Sequence, residues 1–176
     1  DSINVKLTRA MMMALGDGST HIHIGDSIRE DRWAQDYPSL STTMKDGSFS
    51  VVVTNPPFGE NLKISKRDAA ANGYTSSMAA GRGLSYKDLE IGLVFLERAH
   101  RLLKVGGRAG IILPETYFFS ATYSWLTEWM EGRFAIRAVV NIPMEAFQGF
   151  CRAKTNLYVL EKTGNRKPKI NQTKEM

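Results

Sequence analysis

Asn55-Pro56-Pro57-Phe58 is the stretch of this 176-residue chain whose residue types can do chemistry together. Two consecutive prolines have no backbone N–H to donate, so they stiffen the chain and leave carbonyls free to accept. Asn55 adds a side-chain carbonyl acceptor. Such an array suits an aryl amine, whose nitrogen lone pair is delocalised into the ring and is a poor nucleophile. Two acceptors holding its N–H groups pull the nitrogen toward tetrahedral geometry. They also spread the positive charge that develops on alkylation, which is stabilisation by preorganised dipoles. Phe58 offers a face on which a flat heterocycle can stack. The plain alternative is a tight turn whose aromatic ring caps the core. His21 and His23 share one face of a short alternating stretch, but no carboxylate or thiol accompanies them, and no metal site is expected. Cys151 is the single cysteine, which excludes an internal disulfide and a paired-cysteine metal site.

The elements that must position these residues follow from spacing. Phe49 to Thr54 holds Val51-Val52-Val53, a β-branched run that predicts a buried parallel strand ending at Asn55. His21 to Ile24 predicts a short strand ending at Gly25-Asp26. Arg108 to Leu113 predicts one ending at Pro114-Glu115, and Ile136 to Ile142 and Lys154 to Glu161 predict two more. Ile3, Leu7, Ala10, Met11 and Ala14 share a helical face stopped by Gly16, with Met11-Met12-Met13 read as core plus flank. Leu89, Leu93, Leu96 and Leu103 mark a second helix, closed by Gly106-Gly107. A third covers Ala121 to Glu131, with Trp125 and Trp129 in the core. Residues 29–48 read as polar and irregular. Residues 59–87, with few apolar anchors, predict a long mobile loop. The chain therefore reads as α/β, a doubly wound, mostly parallel sheet, with one domain over residues 1–162 and a polar tail over 163–176. Ligands of such sheets bind beyond the C-terminal strand ends. Gly25-Asp26, Asn55-Pro56-Pro57-Phe58 and Pro114-Glu115 all fall at such ends.

In that setting Asn55-Pro56-Pro57-Phe58 resembles the catalytic [DN]-P-P-[YF] motif of the amino-group DNA methyltransferases. The likeness continues through Gly25-Asp26-Ser27-Ile28, through Leu96-Glu97-Arg98 and Leu103 to Arg108, and through Ile111-Ile112-Leu113-Pro114. It extends to Val140-Asn141-Ile142-Pro143, Ala146-Phe147 and Lys154-Thr155-Asn156-Leu157-Tyr158. The combination is most similar to the modification subunits of type I restriction systems. This resemblance implies the class I S-adenosylmethionine-dependent methyltransferase fold and transfer of a methyl group from S-adenosylmethionine to N6 of a flipped-out adenine in DNA. It implies that Asn55 and the Pro56 carbonyl accept from the adenine amine, that Phe58 stacks on the base, and that Phe147 packs on its other side. Asp26, with Ser27 beside it, and Pro57 would touch the cofactor adenine. Lys63, Lys66 and Arg67, with Arg82 and Lys87, either hold DNA phosphates or form a solvated loop. The alternatives are an RNA or protein-glutamine N-methyltransferase, or a non-catalytic fragment of such an enzyme.

One element of the family pattern has no counterpart. The Gly-rich cofactor turn after the first strand is missing, because Gly16-Asp17-Gly18 follows a helix and Gly81-Arg82-Gly83 lies in a loop. The resemblance thus implies a chain that starts after the family's second strand and lacks the segment that reads DNA sequence. The family orders its strands three, two, one, four, five, seven, six. The His21 to Ile24 strand would then lose its neighbours, so displacement or pairing with a second copy is expected, and with it a homo-oligomer. The formal net charge of +5 favours a polyanionic partner. DNA is that partner by resemblance, with specificity and restriction subunits beside it. No run of apolar residues has membrane length and no signal peptide is present, which leads to a cytoplasmic expectation.

Overall fold

The computed structural model describes residues 2–18, 20–57, 62–74, 88–147 and 153–164. It divides into an N-terminal unit, Asp1–Lys45, and a second unit, Asp46–Met176.

The N-terminal unit opens with α1, Ser2–Ala14. Gly16 at φ +79° ends it, with its N–H on the Met13 carbonyl. The apolar stripe on α1 was expected to be core, but Ile3, Leu7, Met11 and Met13 are all exposed. Helical spacing drew the helix correctly, yet burial needs a facing surface, and the unit's own buried residues are Ile28, Trp33 and Leu40. The strand expected at His21 to Ile24 is also not formed; those residues pair with no other strand. Alternation suits a strand only if a ladder partner exists, and here the Ile22 carbonyl is taken at 2.8 Å by the Arg9 guanidinium instead. Residues 29–48 are more ordered than their composition suggested. They contain a 3₁₀ turn at Glu30–Arg32, α2 at Trp33–Asp36 and α3 at Pro38–Thr43, where Pro38 sits at a helix start that needs no N–H.

In the second unit, β1 (Phe49–Thr54) is followed by a small antiparallel pair, β2 (Lys63–Ser65) and β3 (Asp88–Glu90), with α4 (Lys66–Ala71) between them. Then come α5 (Ile91–Leu102), β4 (Leu103–Pro114), α6 (Thr116–Phe119), α7 (Ser124–Met130), β5 (Phe134–Ile142) and β6 (Thr155–Lys162). The main sheet has the order β1-β4-β6-β5. β4 runs parallel to β1, and β6 is antiparallel to both β4 and β5. β1, β4 and β5 therefore share one direction, and the last strand inserts against them. This is the four, five, seven, six half of the order implied by the resemblance.

Leu93, Leu96 and Ala99 of α5 and Leu126, Trp129 and Met130 of α7 bury against Ala109, Ile111, Leu113 and Leu160 of the sheet. Trp125 and Trp129 are buried, as helical spacing predicts. The valine run behaves differently from expectation. β1 is an edge strand among the described residues, and Val51 and Val53 are 61% and 78% exposed. They share the face where Gly110 lies between Val53 and Leu157. β-branched residues favour the extended chain whether or not the second face is covered. The long loop expected over 59–87 is corrected in its first part. Residues 62–74 are folded, with Ile64, Ala69 and Tyr74 at most 1% exposed. Ser65 caps α4 by accepting the Asp68 N–H at 3.1 Å. The Arg101 guanidinium covers Tyr74, 5.4 Å from its centroid, and bonds the Asn72 carbonyl at 2.8 Å. Residues 75–87 lie outside the described residues.

Candidate active site

Thr54 pairs with Ile111, so Asn55, Pro56 and Pro57 leave β1 beside the last residues of β4, on the C-terminal rim of the sheet. Pro56 is buried, while Asn55 and Pro57 are exposed. Burial of the middle residue fixes the turn without side-chain hydrogen bonds. It leaves the Asn55 amide on the solvent side, where among the described residues no partner occupies its carbonyl. Such an acceptor is free to take a substrate N–H. Phe58 lies outside the described residues.

The neighbouring strand ends are tied together. The Glu115 N–H bonds the Lys154 carbonyl at 2.9 Å, and the two side chains form an ion pair at 3.1 Å. This ties the exit of β4 to the approach to β6 and gives Glu115, unassigned from sequence, a structural role. Tyr117 of α6 packs under Gly92, where a Cβ would come 3.0 Å from the phenol oxygen. Burial, helped by nearby Glu90 and Tyr123, pushes the Tyr117 phenol well above its usual range, so it stays protonated. A polar network also lies at this rim. Asn141 Nδ2 donates to Asn156 Oδ1 at 3.1 Å, and Asn156 Nδ2 donates to the Tyr158 hydroxyl at 3.3 Å. Asn141 and Asn156 face each other across β5 and β6. Sequence reasoning passed over this network, although two asparagines in otherwise apolar strand ends were its visible signal. Phe147 ends a 3₁₀ turn, Met144–Phe147, that follows β5, and it is half-buried.

Asp26 and Ser27 belong to the N-terminal unit. Asp26 Oδ1 accepts the N–H groups of Ile28 and Arg29 at 3.1 and 3.2 Å, and Oδ2 meets Arg29 Nη1 at 3.0 Å. Partial burial opposes ionisation, but these bonds and the Arg29 charge outweigh it and hold the carboxyl below the usual range. Its side chain is 34% exposed, so the anion organises its own turn and keeps acceptor capacity toward solvent. Gly25 next to it leaves room for the Leu40 side chain, which a Cβ there would displace.

Of the cations expected to meet phosphate, Lys63 pairs with Glu90 at 3.6 Å. Lys66 and Arg67 are exposed in the first turn of α4. Arg82 and Lys87 lie outside the described residues. Among the described residues no helix is long and apolar enough to cross a membrane.

Comparison with known proteins gives a match to the Eco57I restriction-modification methylase family over residues 11–150. A Methanocaldococcus jannaschii protein described as a type II restriction enzyme and methyltransferase is 21% identical over 124 residues, which is 70% of this chain and 9% of that protein. Among solved structures, a modification subunit assigned to a type I restriction enzyme of Vibrio vulnificus YJ016 superposes with a TM-score of 0.62 at 20% identity, covering 93% of this chain and 31% of that one. The EcoKI M protein of a type I restriction enzyme gives a TM-score of 0.51 at 19% identity, covering 86% of this chain and 28% of that one. These identities speak to the fold. The chain spans under a third of the length of these two solved structures.

Proposed function

The chain belongs to the Eco57I restriction-modification methylase family, and from that premise we propose that it carries the methyl-acceptor half of a DNA adenine-N6 methyltransferase site. The observation that carries this reading is the Asn55-Pro56-Pro57 turn, with its middle proline buried and Asn55 exposed, at the C-terminal end of a parallel strand. Asn55 Oδ1 and the Pro56 carbonyl accept the two N–H groups of the adenine amine and favour its attack on an electrophilic methyl group. Phe58 stacks on the base, which has left the duplex. The methyl donor is S-adenosylmethionine, which supplies a carbon activated by the adjacent sulfonium. Pro57, exposed at the rim, suits contact with a flat ring. Asp26, ionised and partly open, suits an adenine amine, with Ser27 beside it. DNA is the substrate, and specificity and restriction subunits are the partners. The chain's net charge of +5 and the modification subunits among its structural neighbours support this assignment.

The test is Asn55→Ala in the full-length protein. The side chain stands on the solvent side of a strand end, so its loss opens no core cavity. Its acceptor bond gains value as charge develops on the amine. Methyl transfer to adenine-containing duplex DNA is expected to fall by about a hundred- to a thousand-fold. Affinity for S-adenosylmethionine and thermal melting stay near wild type. Near-normal turnover would remove the aryl-amine mechanism. Transfer to RNA or to a glutamine amide in place of DNA would redirect the substrate assignment.

A further inference from the structure

Phe119 ends α6, on the strand-end rim that also carries Asn55. It closes a run of three aromatics, Tyr117-Phe118-Phe119. Tyr117 is buried, and Phe118 rests on Tyr158 with ring centroids 4.4 Å apart. Phe119, by contrast, is 79% exposed. Its backbone is not loose. The Phe118 N–H bonds Glu115 O and the Ser120 N–H bonds Thr116 O, each at 3.0 Å, and Ser120 Oγ accepts the Thr122 N–H. Glu115 is itself tied to Lys154. The fold thus fixes the backbone that presents this apolar ring to water. A lone exposed aromatic is ordinary on a protein surface. This one leaves the sheet from β4, the strand adjacent to the one that ends in Asn55-Pro56-Pro57, and neighbouring strands lie about 4.8 Å apart. Exposed Lys154 and Met144 stand at the ends of the next two strands along the same rim.

We propose that Phe119 is a wedge that enters the base stack of a DNA duplex as the target base leaves it; this rests on the DNA methyltransferase reading above. Extruding a base removes two stacking contacts and opens a gap. An apolar side chain inserted at a base step offsets that loss and holds the duplex open. A phenyl ring stacks on any base, so the role carries no sequence preference. The excess positive charge of the chain fits a duplex partner better than an apolar protein surface. Tyr117, Phe118 and the Asn141–Asn156–Tyr158 network behind Phe118 serve as the mount.

The experiment uses the full-length protein, with the methylated sequence first mapped by sequencing DNA that the wild type has modified. Wild type, Phe119→Ala and Phe119→Trp are assayed for methyl transfer to two duplexes, one fully paired and one with an abasic site opposite the target adenine. Fluorescence of 2-aminopurine at the target position reports extrusion. Phe119→Ala is expected to slow transfer to the paired duplex about ten-fold and to diminish the fluorescence rise, while its melting temperature stays unchanged. The abasic duplex, whose target is already unpaired, restores its rate toward wild type, and Phe119→Trp keeps activity on both. Wild-type rates for Phe119→Ala on the paired duplex overturn the proposal. So does equal slowing on both duplexes, which marks a merely structural role. A wild-type protein that methylates no adenine in DNA overturns the functional reading and this proposal together. An active wild type with an unaffected Phe119→Ala overturns the wedge alone.

Discussion

His100 stands on α5 with its imidazole edge-on to Phe134 and Trp129, at centroid distances of 5.2 and 6.1 Å. Burial, reinforced by the nearby Lys162 and Arg133 charges, pushes its pKa down to about 4. The unfolded chain takes up this proton near pH 6.5, and the folded chain does not until about pH 4. Stability from this site is therefore complete above pH 6.5 and is lost as pH falls from there toward 4, by about 1–3 kcal/mol in all. Chemical denaturation of wild type and His100→Phe at pH 7.5 and 4.5 checks this. The variant is expected to lose less stability over that interval, and parallel losses would remove the argument. Asp46 supplies a second case at the same scale. Its carboxylate holds Arg98 Nη1 at 3.1 Å and Arg101 Nε at 3.0 Å, and the Arg98 side chain is buried. Asp46→Ala is expected to destabilise by about 1–3 kcal/mol, because a buried guanidinium loses a charged partner while Asp46 itself is half in water. Neither group was legible in the sequence. A histidine beside an arginine on a helix and an aspartate before a glycine are common, and their roles come from contacts many residues away.

Elements were more legible than their surroundings. β1, β5 and β6 stand close to where hydrophobic runs and breakers put them, whereas β4 begins already at Leu103, so Gly106-Gly107 lie within the strand instead of closing α5. The helices α5 and α7 follow from 3.6-residue spacing in the same way. The sequence of the 62–74 segment predicts a loop because its apolar residues are few, yet three of them carry a folded segment. Ile64, Ala69 and Tyr74 are buried, and Ser65 supplies the cap. Sparse anchors suffice when an existing helix, here α5 with Arg101, completes the pocket. Tyr74→Ala is accordingly expected to cost about 3–5 kcal/mol, since it empties a fully buried aromatic site. Amide exchange would show the loss first over 62–74. Unchanged protection there would mean that the segment is held by something other than Tyr74. At the candidate site, the position of Asn55, Pro56 and Pro57 on the rim was legible from the strand that precedes them. The burial of Pro56 and the rim network of Asn141, Asn156 and Tyr158 were not, because each depends on which strand lies alongside.

At the scale of the whole chain, the open side of β1 leads to an expectation about association. Val51 and Val53 present apolar surface on a strand whose outer edge pairs with nothing among the described residues. Such edges recruit other chains. We expect the 176-residue chain to self-associate, and Val53→Lys to shift it toward monomer in light scattering at equal concentration; identical mass distributions for both would remove the claim. No strand among the described residues is followed by a Gly-rich turn, and we expect calorimetric titration of the same chain with S-adenosylmethionine to give binding weaker than micromolar. A further consequence follows from the place of β6. It is the last of these strands to be synthesised, yet it sits between β4 and β5 and is the only sheet partner of β5 among the described residues. On the ribosome, β5 therefore emerges with nowhere to dock, and the hydrophobic cluster stays open on one side until Thr155–Lys162 has cleared the exit tunnel. Folding of this half thus waits, in its last step, on a strand made after both of the strands it joins. A pause in translation anywhere between Phe134 and Lys162 leaves an unsatisfied sheet for chaperones to shield.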